Sequence, residues 1–448
     1  MVDTRQLRGR RVVVWGLGRF GGGVGAAHWL CRQGAAVTIV DRAPATELDE
    51  SVEFLRGLPI RFELGGEDRV HFESADLVVI NPAIPKRRSE TYAWLAAQGI
   101  PWTTEINLFL ERCPCPIAAV TGSFGKSTAA TLLATALRAA RDGPVHLGGN
   151  LGGSLLPDLE RMTPADVVVL ELSDAQLCDV PRIARRPDFA IITNVVPHHL
   201  DRHGSFETYA RVKCNVFRGP RPARAVVVGP VTVPADRIIL SELSSCGCER
   251  LDAAPPQPPL ALSLIGEHNE TLAAQVWSLL RHLRYDGDAA RSALEAFSGL
   301  PHRLERLSSV GGVSFINDSK STSPACTLAA IEATPGPLIA IVGGSSAGEP
   351  LDDAAGTLAR RCRAVVAVGA SRRAWLEAAR TAGVAAVFAA ADVPEAVRLA
   401  IGAARPGDTV LFSPGGPSFD QFPNFERRGA AFREAVAAIV GDRLISRR

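Results

Sequence analysis

A run of small and cationic residues near position 125 has the composition of a phosphate-binding loop. Thr121-Gly122-Ser123-Phe124-Gly125-Lys126-Ser127-Thr128 stands between an apolar run, Ile117–Val120, and an alanine-rich helical segment, Ala129–Ala140. In such a loop, backbone N–H groups surround phosphates, the lysine places a cation on the terminal ones, and the serine after it offers a hydroxyl to Mg²⁺. The leading glycine of a full P-loop is absent, because a valine occupies its place. The position of the motif between a strand and a helix nevertheless favours ATP binding over a chance occurrence of Gly-Lys-Ser-Thr.

Two further ionisable residues follow predicted strands. Glu171 ends the apolar run Val167–Leu170, and His199 follows the run Ala190–Thr193. Because the carboxyl ends of parallel strands meet in one crevice, we expect both side chains near the phosphate loop, where they could hold a cation. The alternative is that Glu171 caps a helix and His199 lies on a polar loop. The residues alone leave both interpretations open.

A glycine-rich turn lies near the N-terminus. Gly16-Leu17-Gly18-Arg19-Phe20-Gly21 follows a predicted strand and precedes a helix, and Asp41 ends the next strand. This placement is typical of a Rossmann loop, in which glycines let a diphosphate approach the backbone and the acidic side chain binds a sugar or base. The motif does not distinguish a dinucleotide from a UDP-sugar, and a glycine-rich turn without a ligand is the alternative.

Three polar segments in the last third of the chain combine charges with turn residues. They are His302-Arg303, Asn317-Asp318-Ser319-Lys320 and Ser413-Pro414-Gly415-Gly416-Pro417-Ser418-Phe419-Asp420-Gln421-Phe422. Taken singly, each segment is better explained by ordinary loop and surface roles than by a site.

The elements that must position these residues alternate between short β-rich runs and Ala/Leu-rich helical stretches, which predicts α/β folding with mostly parallel sheets. Breaks near Cys113–Pro116 and Gly299–Pro301 predict three domains, 1–113, 114–299 and 300–448. The predicted strands are Arg11–Trp15, Val37–Val40, Leu77–Ile80, Ile117–Val120, Val167–Leu170, Ala190–Thr193, Ala225–Val228, Val313–Ile316, Leu338–Val342, Ala364–Val368, Ala385–Ala389 and Thr409–Phe412.

Composition excludes several classes of protein. The 448 residues are 46% hydrophobic, with 49 Lys+Arg against 47 Asp+Glu and a net charge of +2, so the basic surface of a nucleic-acid binder is not expected. The apolar runs are too short to span a membrane. Nine scattered cysteines without a CxxC spacing argue against structural zinc and disulfides and indicate a reduced, cytoplasmic protein.

Taken together and in order, these segments closely resemble the Mur ligase family over nearly the whole chain. Further short motifs carry the resemblance besides those above. They are Asn81-Pro82-Ala83-Ile84, Gly148-Gly149-Asn150-Leu151-Gly152, Glu171-Leu172-Ser173 with Gln176, His199-Leu200-Asp201-Arg202, Lys213, Gly266-Glu267-His268-Asn269, Gly299-Leu300-Pro301-His302-Arg303 with Glu305, and Asn424-Phe425-Glu426 with Arg428-Gly429.

The resemblance implies an ATP-dependent amide-bond ligase that adds D-glutamate to UDP-N-acetylmuramoyl-L-alanine through an acyl phosphate. It implies a Rossmann-like UDP-binding domain, a central ATPase domain and a C-terminal Rossmann-like α/β domain that closes over the reaction. ATP and two Mg²⁺ are the implied cofactors, with Lys213 carbamylated by CO₂. The implied partners are small-molecule substrates, with no nucleic acid and no membrane insertion, and the implied state is a monomer.

Site roles carry over residue by residue. The implied catalytic residues are Lys126, Glu171, His199 and Lys213, and the implied metal ligands are Ser127, Glu171, His199 and Lys213. The implied nucleotide contacts are Gly122, Ser123, Gly125, Lys126, Ser127, Thr128, Asn269, His302, Arg303 and Asp318. The implied contacts to the UDP-sugar substrate are Leu17, Arg19, Asp41, Pro82, Ala83, Asn150, Ser173 and Gln176, and those to glutamate are Lys320, Thr322, Ser413 and Phe419.

Several positions depart from the family pattern. Phe124 replaces an asparagine of the phosphate loop, Asp174-Ala175 replaces Ser-Phe, Leu272 stands where an adenine-side asparagine is expected, and Gly416 replaces an alanine. Ser345-Ser346-Ala347 replaces a segment that usually carries a lysine for the side-chain carboxylate of D-glutamate.

The departures keep alternatives open. One is a diverged ligase that uses another amino acid, such as L-glutamate, or acts in specialised metabolism. Another is a catalytically silent nucleotide-binding paralogue, and a third is a nicotinamide-dependent oxidoreductase, which would leave the lysine-bearing loop unused.

Overall fold

The computed structural model of the chain describes residues 6–18, 21–197, 199–229, 231, 233–345, 351 and 354–445. The described chain contains three sheets, mostly parallel and interleaved with helices, which confirms the predicted α/β class. It divides into two compact units. The larger unit contains the chain up to Ala261 together with Glu270–Glu295, and the second contains Leu262–Asn269 and the chain from Ala296. The predicted three-domain boundaries stay a prediction.

The first sheet lies in the larger unit and has the strand order β3-β2-β1-β4-β5, all parallel. The strand order reverses between β1 and β4, the point at which doubly wound sheets bind ligands. Its strands are β1 (Arg11–Trp15), β2 (Ala36–Asp41), β3 (Ile60–Leu64), β4 (Leu77–Ile80) and β5 (Trp102–Thr103), and its helices are α1 (Gly22–Arg32), α2 (Asp49–Phe54), α3 (Val70–Glu73), α4 (Glu90–Ala97) and α5 (Glu105–Arg112).

The second sheet also lies in the larger unit, with the parallel order β11-β10-β9-β6-β8-β7. Its central strand β6 leads into the phosphate loop, and β8 and β9 pair with it on either side. The strands are β6 (Ile117–Thr121), β7 (Val145–Gly149), β8 (Val167–Glu171), β9 (Phe189–Ile192), β10 (Ala225–Val228) and β11 (Glu249–Asp252), and the helices are α6 (Lys126–Ala140), α7 (Asp174–Leu177), α8 (Leu200–His203), α9 (Phe206–Cys214), α10 (Val233–Cys246), α11 (Glu267–His282) and α12 (Asp288–Glu295).

The third sheet lies in the second unit, with the order β12-β13-β17-β14-β15-β16 and an antiparallel edge strand, β12. The carboxyl ends of β13, β14 and β17 are neighbours. The strands are β12 (Glu305–Arg306), β13 (Ser314–Asn317), β14 (Leu338–Gly343), β15 (Cys362–Val368), β16 (Ala386–Ala389) and β17 (Thr409–Phe412), and the helices are α13 (Pro324–Ala333), α14 (Ala354–Arg361), α15 (Arg372–Thr381), α16 (Val393–Ala403) and α17 (Phe425–Ile445).

Apolar packing on the sheets fixes where the loops lie. One buried cluster runs through the larger unit and contains side chains of both of its sheets, such as Val14 and Val168. Two clusters cover the third sheet and include Ile341 and Val365. The nine cysteines are free thiols. None of the helices in the described ranges is long and apolar enough to cross a membrane.

Candidate active site

The phosphate loop joins β6 to α6 and is held in place by the residues that follow β9. The hydroxyl of Thr193 donates to the backbone oxygen of Phe124 over 2.6 Å, and the side chain of Asn194 binds both the N–H and the oxygen of Phe124, at 3.0 and 3.1 Å. A Cβ at Gly122 would lie 1.9 Å from Thr193 Oγ1, so only glycine fits there. Gly125 caps α6 in the left-handed conformation at φ 76°. The side chains of Thr193 and Asn194 therefore hold the loop backbone at Phe124.

Lys126 and Ser127 begin the 15-residue helix α6. Lys126 Nζ donates to the backbone oxygens of Gly122 and Ser123 at 3.1 and 2.9 Å. Ser127 is buried, and Thr128 is half-buried on the next position. A helix N-terminus with a glycine-rich approach and an ammonium group binds phosphates well.

Glu171 lies directly beside the phosphate loop, because its Cα is the register partner of Val120 at the end of β6. Glu171 is 2% exposed. Its Oε1 accepts a hydrogen bond from Asn150 Nδ2 at 2.9 Å, whereas its buried Oε2 has no hydrogen-bond partner in the part of the chain that the structure describes. A buried anionic oxygen with an open position is what a hard cation such as Mg²⁺ requires. The Glu171 side chain therefore has the properties of a metal ligand. It does not cap a helix, because the helix that follows it, α7, is capped by another residue.

Lys213 lies on α9, and its side chain is 1% exposed. Its Nζ donates to Thr121 Oγ1 at 3.3 Å, at the end of β6. Burial, then the charge of Lys126, lowers the pKa of Lys213 to about 7, and the charge of Glu171 acts in the opposite direction. The charges of Lys126 and Glu171 therefore both act on Lys213. This is expected, because β6 and β8 are paired strands whose carboxyl ends lie side by side.

His199 is exposed and caps α8 in the left-handed conformation, at φ 51°. Such a φ is uncommon for a residue other than glycine and is held only by surrounding contacts. Within the described chain, no group of three or more His, Cys, Asp or Glu side chains could hold a metal ion. A metal site that includes Glu171 or His199 would thus need further ligands. These would be the hydroxyl of Ser127, a modified Lys213 and substrate oxygens.

A buried polar network links these elements, and the sequence motifs did not identify it. Asp174 Oδ2 bonds His203 Nε2 at 2.8 Å and accepts from Arg202 Nη1 at 3.3 Å. The Tyr209 ring contacts His203 with centroids 5.3 Å apart, and its hydroxyl bonds Ser123 Oγ at 3.0 Å. Burial alone would raise the pKa of Asp174, but the His203 hydrogen bond and the nearby cations hold it at about 2.

Ser173 and Gln176, predicted to contact substrate, form the capping box of α7. Ser173 Oγ accepts from the Gln176 N–H at 3.3 Å, and Gln176 Oε1 accepts from the Ser173 N–H at 2.9 Å. The cap orients the turn that follows Glu171. Asn150, in contrast, is exposed apart from its bond to Glu171.

The glycine turn after β1 is shaped by Asp41. Its Oδ2 accepts from the N–H groups of Leu17 and Gly18, at 2.8 and 3.3 Å, so this carboxylate positions the loop itself. Asn81, after β4, donates to the Gly16 oxygen at 3.1 Å and accepts from the Ala83 N–H at 3.0 Å. Leu17 is buried, Pro82 is half-buried and Ala83 is exposed. Arg19, a predicted UDP contact, lies outside the described residues.

In the second unit, Asp318 lies at the carboxyl end of β13. Its Oδ2 accepts from Ser413 Oγ at 2.8 Å, and its Oδ1 accepts from the Leu304 N–H at 3.2 Å. Burial raises the pKa of Asp318 to about 7 against these hydrogen bonds. His302 adopts φ 63°, and its ring bonds Asn317 Nδ2 at 3.0 Å. Arg303 is half-buried beside them.

The predicted glutamate contacts lie on neighbouring loops of the second unit. Lys320 Nζ lies 5.0 Å from the centroid of the Phe425 ring, Thr322 and Phe419 are exposed, and Ser413 is buried. A residue that motifs did not single out as functional, Arg428, ties these loops together. Its guanidinium donates to the Ser319 oxygen at 2.7 Å and to the Gly416 oxygen at 2.9 Å. Asn269, a predicted nucleotide contact, donates to the Ile265 oxygen at 2.7 Å.

Two departures from the family pattern have local physical reasons. A Cβ at Gly416 would lie 2.4 Å from the Ser345 oxygen, so an alanine would displace this loop. A Cβ at Gly125 would lie 2.8 Å from a methyl group of Leu272, which therefore packs directly on the phosphate loop. Positions 346 and 347 lie outside the described residues.

Comparisons with known proteins show what the chain is similar to. Residues 120–244 match the family model of the Mur ligase middle domain, and residues 302–416 match that of the Mur ligase glutamate ligase domain. A UDP-N-acetylmuramoylalanine–D-glutamate ligase from Roseiflexus sp. is 34% identical over 96% of this chain and 99% of its own length. One of the same name from Nitratidesulfovibrio vulgaris is 34% identical over 98% of this chain and 99% of its own.

Solved structures agree in fold. The UDP-N-acetylmuramate-alanine ligase of Thermotoga maritima has a TM-score of 0.63 at 19% identity, covering 96% of this chain and 99% of its own. The folylpolyglutamate synthase of Mycobacterium tuberculosis, solved with ADP and AMPPCP, has a TM-score of 0.54 at 18% identity, covering 77% and 94%.

Proposed function

Because the chain belongs to the Mur ligase family, we propose that it is an ATP-dependent ligase that adds D-glutamate to UDP-N-acetylmuramoyl-L-alanine. The observation that carries the proposal is the meeting of the Lys126 loop with the buried Glu171 carboxylate at adjacent strand ends. The relatives that bear this name align over nearly their whole length, so no large part of such an enzyme lacks a counterpart here.

The chemistry is activation of a carboxyl group followed by amide formation. A carboxylate oxygen of the UDP-linked substrate attacks the γ-phosphorus of ATP, and the bond to the bridging oxygen breaks to release ADP. The amine nitrogen of D-glutamate then attacks the acyl carbon, loses a proton, and expels phosphate. Both reactants are anionic at the first step, so positioning and charge neutralisation are the protein's main contributions.

Different residues carry out the charge neutralisation and the metal binding. The α6 N-terminus and Lys126 neutralise phosphate charge, and Ser127 and Glu171 would hold one Mg²⁺. Mg²⁺, when bound, supplies positive charge to phosphate and carboxylate oxygens. Asn150 keeps Glu171 Oε1 occupied, which leaves Oε2 for the metal.

Lys213 and His199 would hold the second Mg²⁺ in this proposal. An ammonium group would repel the metal, so Lys213 must first add CO₂ through its neutral amine, forming a carbamate and releasing a proton. The burial that lowers the pKa of Lys213 to about 7 makes the neutral amine abundant at neutral pH. The carbamate is then an anionic oxygen ligand in place of a cation.

The remaining contacts are assigned by unit. In the larger unit, the loops after β1 and β4 hold UDP through Leu17, Arg19, Asp41, Pro82 and Ala83, and Asn150, Ser173 and Gln176 meet the muramoyl part. In the second unit, Asn269, His302, Arg303 and Asp318 bind nucleotide. Lys320, Thr322, Ser413 and Phe419 contact glutamate. We also propose that the enzyme acts as a cytoplasmic monomer on small-molecule substrates.

A ligase for another amino acid is the second candidate. It is favoured by Ser345, whose hydroxyl donates to the Pro417 oxygen at 2.9 Å in the segment where the family carries a lysine. A missing cation opposite a buried carboxylate costs about 2–5 kcal/mol, which would weaken preference for a dicarboxylic amino acid.

The test is ADP release with UDP-N-acetylmuramoyl-L-alanine and a panel of amino acids, with Lys126→Met as the inactive control. D-Glutamate should give the highest kcat/KM and a product heavier by one glutamyl residue. If L-glutamate or another amino acid alone stimulates ADP release, the second candidate replaces the first. Tight NADH binding without ADP release would revive the oxidoreductase.

A further inference from the structure

Asp174 joins the two segments that carry the proposed metal ligands Glu171 and His199. It is the first residue of α7, three positions after Glu171, and it is 6% exposed. Its Oδ2 bonds His203 Nε2 at 2.8 Å and Arg202 Nη1 at 3.3 Å. Both of these partners belong to α8, which begins immediately after His199. One carboxylate oxygen therefore ties the end of β8 to the helix that His199 caps.

The segment that Asp174 holds is conformationally costly. His199 stands at φ 51°, and its oxygen accepts from the N–H groups of Arg202 and His203, both at 3.1 Å. A left-handed conformation is unfavourable for a residue with a Cβ, so it persists only where neighbouring contacts enforce it. The two bonds from Asp174 are such contacts, because they fix the far end of the same turn.

The network continues toward the phosphate loop and Lys213. His203 contacts the Tyr209 ring, and the Tyr209 hydroxyl bonds Ser123 Oγ at 3.0 Å in the phosphate loop. Lys213 Nζ lies 5.2 Å from the centroid of the same ring. The Asp174 charge also acts on both Lys213 and His199. Asp174 thus lies at the centre of the elements that carry all of the proposed protein ligands except Ser127.

We propose that Asp174 is a positioning residue that assembles the Mg²⁺ site by clamping α8, and hence His199, onto the end of β8. The inference rests on the proposed function for the identity of the ligands. Asp174 itself is one of the positions at which the sequence departs from the pattern that the family resemblance implies, which has Ser-Phe in place of Asp174-Ala175. A serine could accept one hydrogen bond there but would bring no negative charge to the Arg202 guanidinium.

The experiment measures Mn²⁺ binding to the full-length protein saturated with ADP, followed by the electron paramagnetic resonance signal of free Mn²⁺. Asp174→Ala and Asp174→Ser should raise the Kd for Mn²⁺ by about tenfold, the usual effect of losing a residue that orients a metal ligand. The half-saturating Mg²⁺ concentration in turnover should rise in parallel, whereas the KM for D-glutamate should stay within about twofold.

Asp166 provides a matched control at the opposite end of the same strand. It is 4% exposed and bonds His146 Nε2 at 2.8 Å, just before β8 begins. Asp166→Ala removes an aspartate–histidine pair of the same length away from the proposed ligands and should leave the Kd for Mn²⁺ within about twofold. His203→Ala should act like Asp174→Ala, and the two changes should not be additive in the double variant.

The experiment tests the positioning role of Asp174 separately from the proposed ligase function. If Asp174→Ala does not fold, Asp174→Asn retains an acceptor oxygen, and it should still raise the Kd for Mn²⁺ more than Asp166→Ala. The proposal is overturned if no folded Asp174 variant weakens Mn²⁺ more than that control. A wild-type protein that binds Mn²⁺ but does not use D-glutamate would refute the proposed function and leave this comparison decisive.

Discussion

At the scale of single residues, burial determines which groups can perform the proposed chemistry. Lys213 and Glu171 are 1% and 2% exposed, so their charges are poorly screened and act strongly on their neighbours. Two buried or half-buried lysines, Lys126 and Lys213, repel each other, and Glu171 cannot neutralise both. Conversion of one lysine to an anion would remove the conflict.

The first prediction concerns that conversion. Lys213→Ala should lower kcat by about 100-fold or more, because it removes an anionic ligand from the site. Formate, acetate or propionate should restore part of the activity by occupying the vacated space with a carboxylate. Lys213→Arg, which cannot form a carbamate and fills the space, is the control and should not be rescued. Wild-type activity in the alanine variant would remove Lys213 from the mechanism.

The second prediction concerns Phe124, the bulky residue in the phosphate loop. Its backbone is held by Thr193 and Asn194, and its ring is 45% exposed, so the loop conformation does not depend on the side chain. Phe124→Asn should therefore change kcat by less than about threefold and leave the Tm nearly unchanged. A large rise in kcat, measured by ADP release, would instead identify the natural chain as a silenced paralogue.

At the scale of elements, the interior strands of all three sheets were predictable, whereas β16 is the one edge strand in the described chain that the sequence predicted. Interior strands such as β1 and β10 are buried runs of valine and alanine, which stand out in the sequence. The unpredicted strands are β3, β5, β7, β11 and β12, which all lie at sheet edges, and β11 is a polar Glu-Arg-Leu-Asp segment. An edge strand is covered on fewer sides, so it needs no continuous apolar run.

The residues of the candidate site also divide into those that the sequence predicted and those that it did not. Loops with a characteristic composition, such as the one ending in Lys126, were found because glycine and lysine are required by phosphate binding itself. Thr193, Asn194 and Asp174 were not identified as site residues, because they act through hydrogen bonds to backbone or to distant side chains. Such contacts depend on which strands are neighbours, and no local pattern encodes that.

The third prediction concerns the close approach of α1 to the turn after β1. A Cβ at Gly23 would lie 2.3 Å from the Leu17 oxygen, whereas one at Gly22 would meet no described atom within 4 Å. Gly23→Ala should lower the stability by about 1–3 kcal/mol and raise the KM for the UDP-linked substrate, because the loop must move. Gly22→Ala is the matched control and should leave both quantities nearly unchanged. Equal effects of the two changes in urea unfolding and in KM would contradict this account.

The fourth prediction concerns Glu105 at the start of α5. Burial raises the pKa of this carboxyl to about 7, although Ser154 Oγ donates to its Oε1 at 2.5 Å. A raised folded-state pKa means that the stability contribution is present below the unfolded value and is lost as the pH rises through about 7. Glu105→Gln keeps an acceptor and cannot ionise, so it should stabilise the protein at pH 8 by an amount on the order of 3 kcal/mol.

The control for this prediction is the pH dependence itself. Below the unfolded pKa of Glu105, both forms of the protein carry a neutral side chain, and the difference in unfolding free energy should shrink toward zero. Urea unfolding of both proteins over this range gives the result directly. A variant that is equally stabilised at acidic and alkaline pH would show that ionisation is not the cause.

At the scale of the whole molecule, each sheet presents its polar loops at the carboxyl ends of its strands. The first sheet presents the turn that Asp41 shapes, the second presents Lys126 and Glu171, and the third presents Asp318 and Ser413. In the proposed function, the loops of the first sheet contact the UDP part of the substrate, those of the second contact ATP and the muramoyl part, and those of the third contact nucleotide and glutamate. The division of labour predicts that ATP is consumed only when the carboxyl substrate is present.

The most direct test of the central claim, that ATP activates a carboxyl group of the substrate, follows an oxygen atom. UDP-N-acetylmuramoyl-L-alanine carrying ¹⁸O in its carboxylate is turned over with ATP and D-glutamate, and the released phosphate is analysed by mass spectrometry. Transfer through an acyl phosphate predicts that each phosphate carries one oxygen from the labelled carboxylate. Amide product accompanied by unlabelled phosphate would contradict the account.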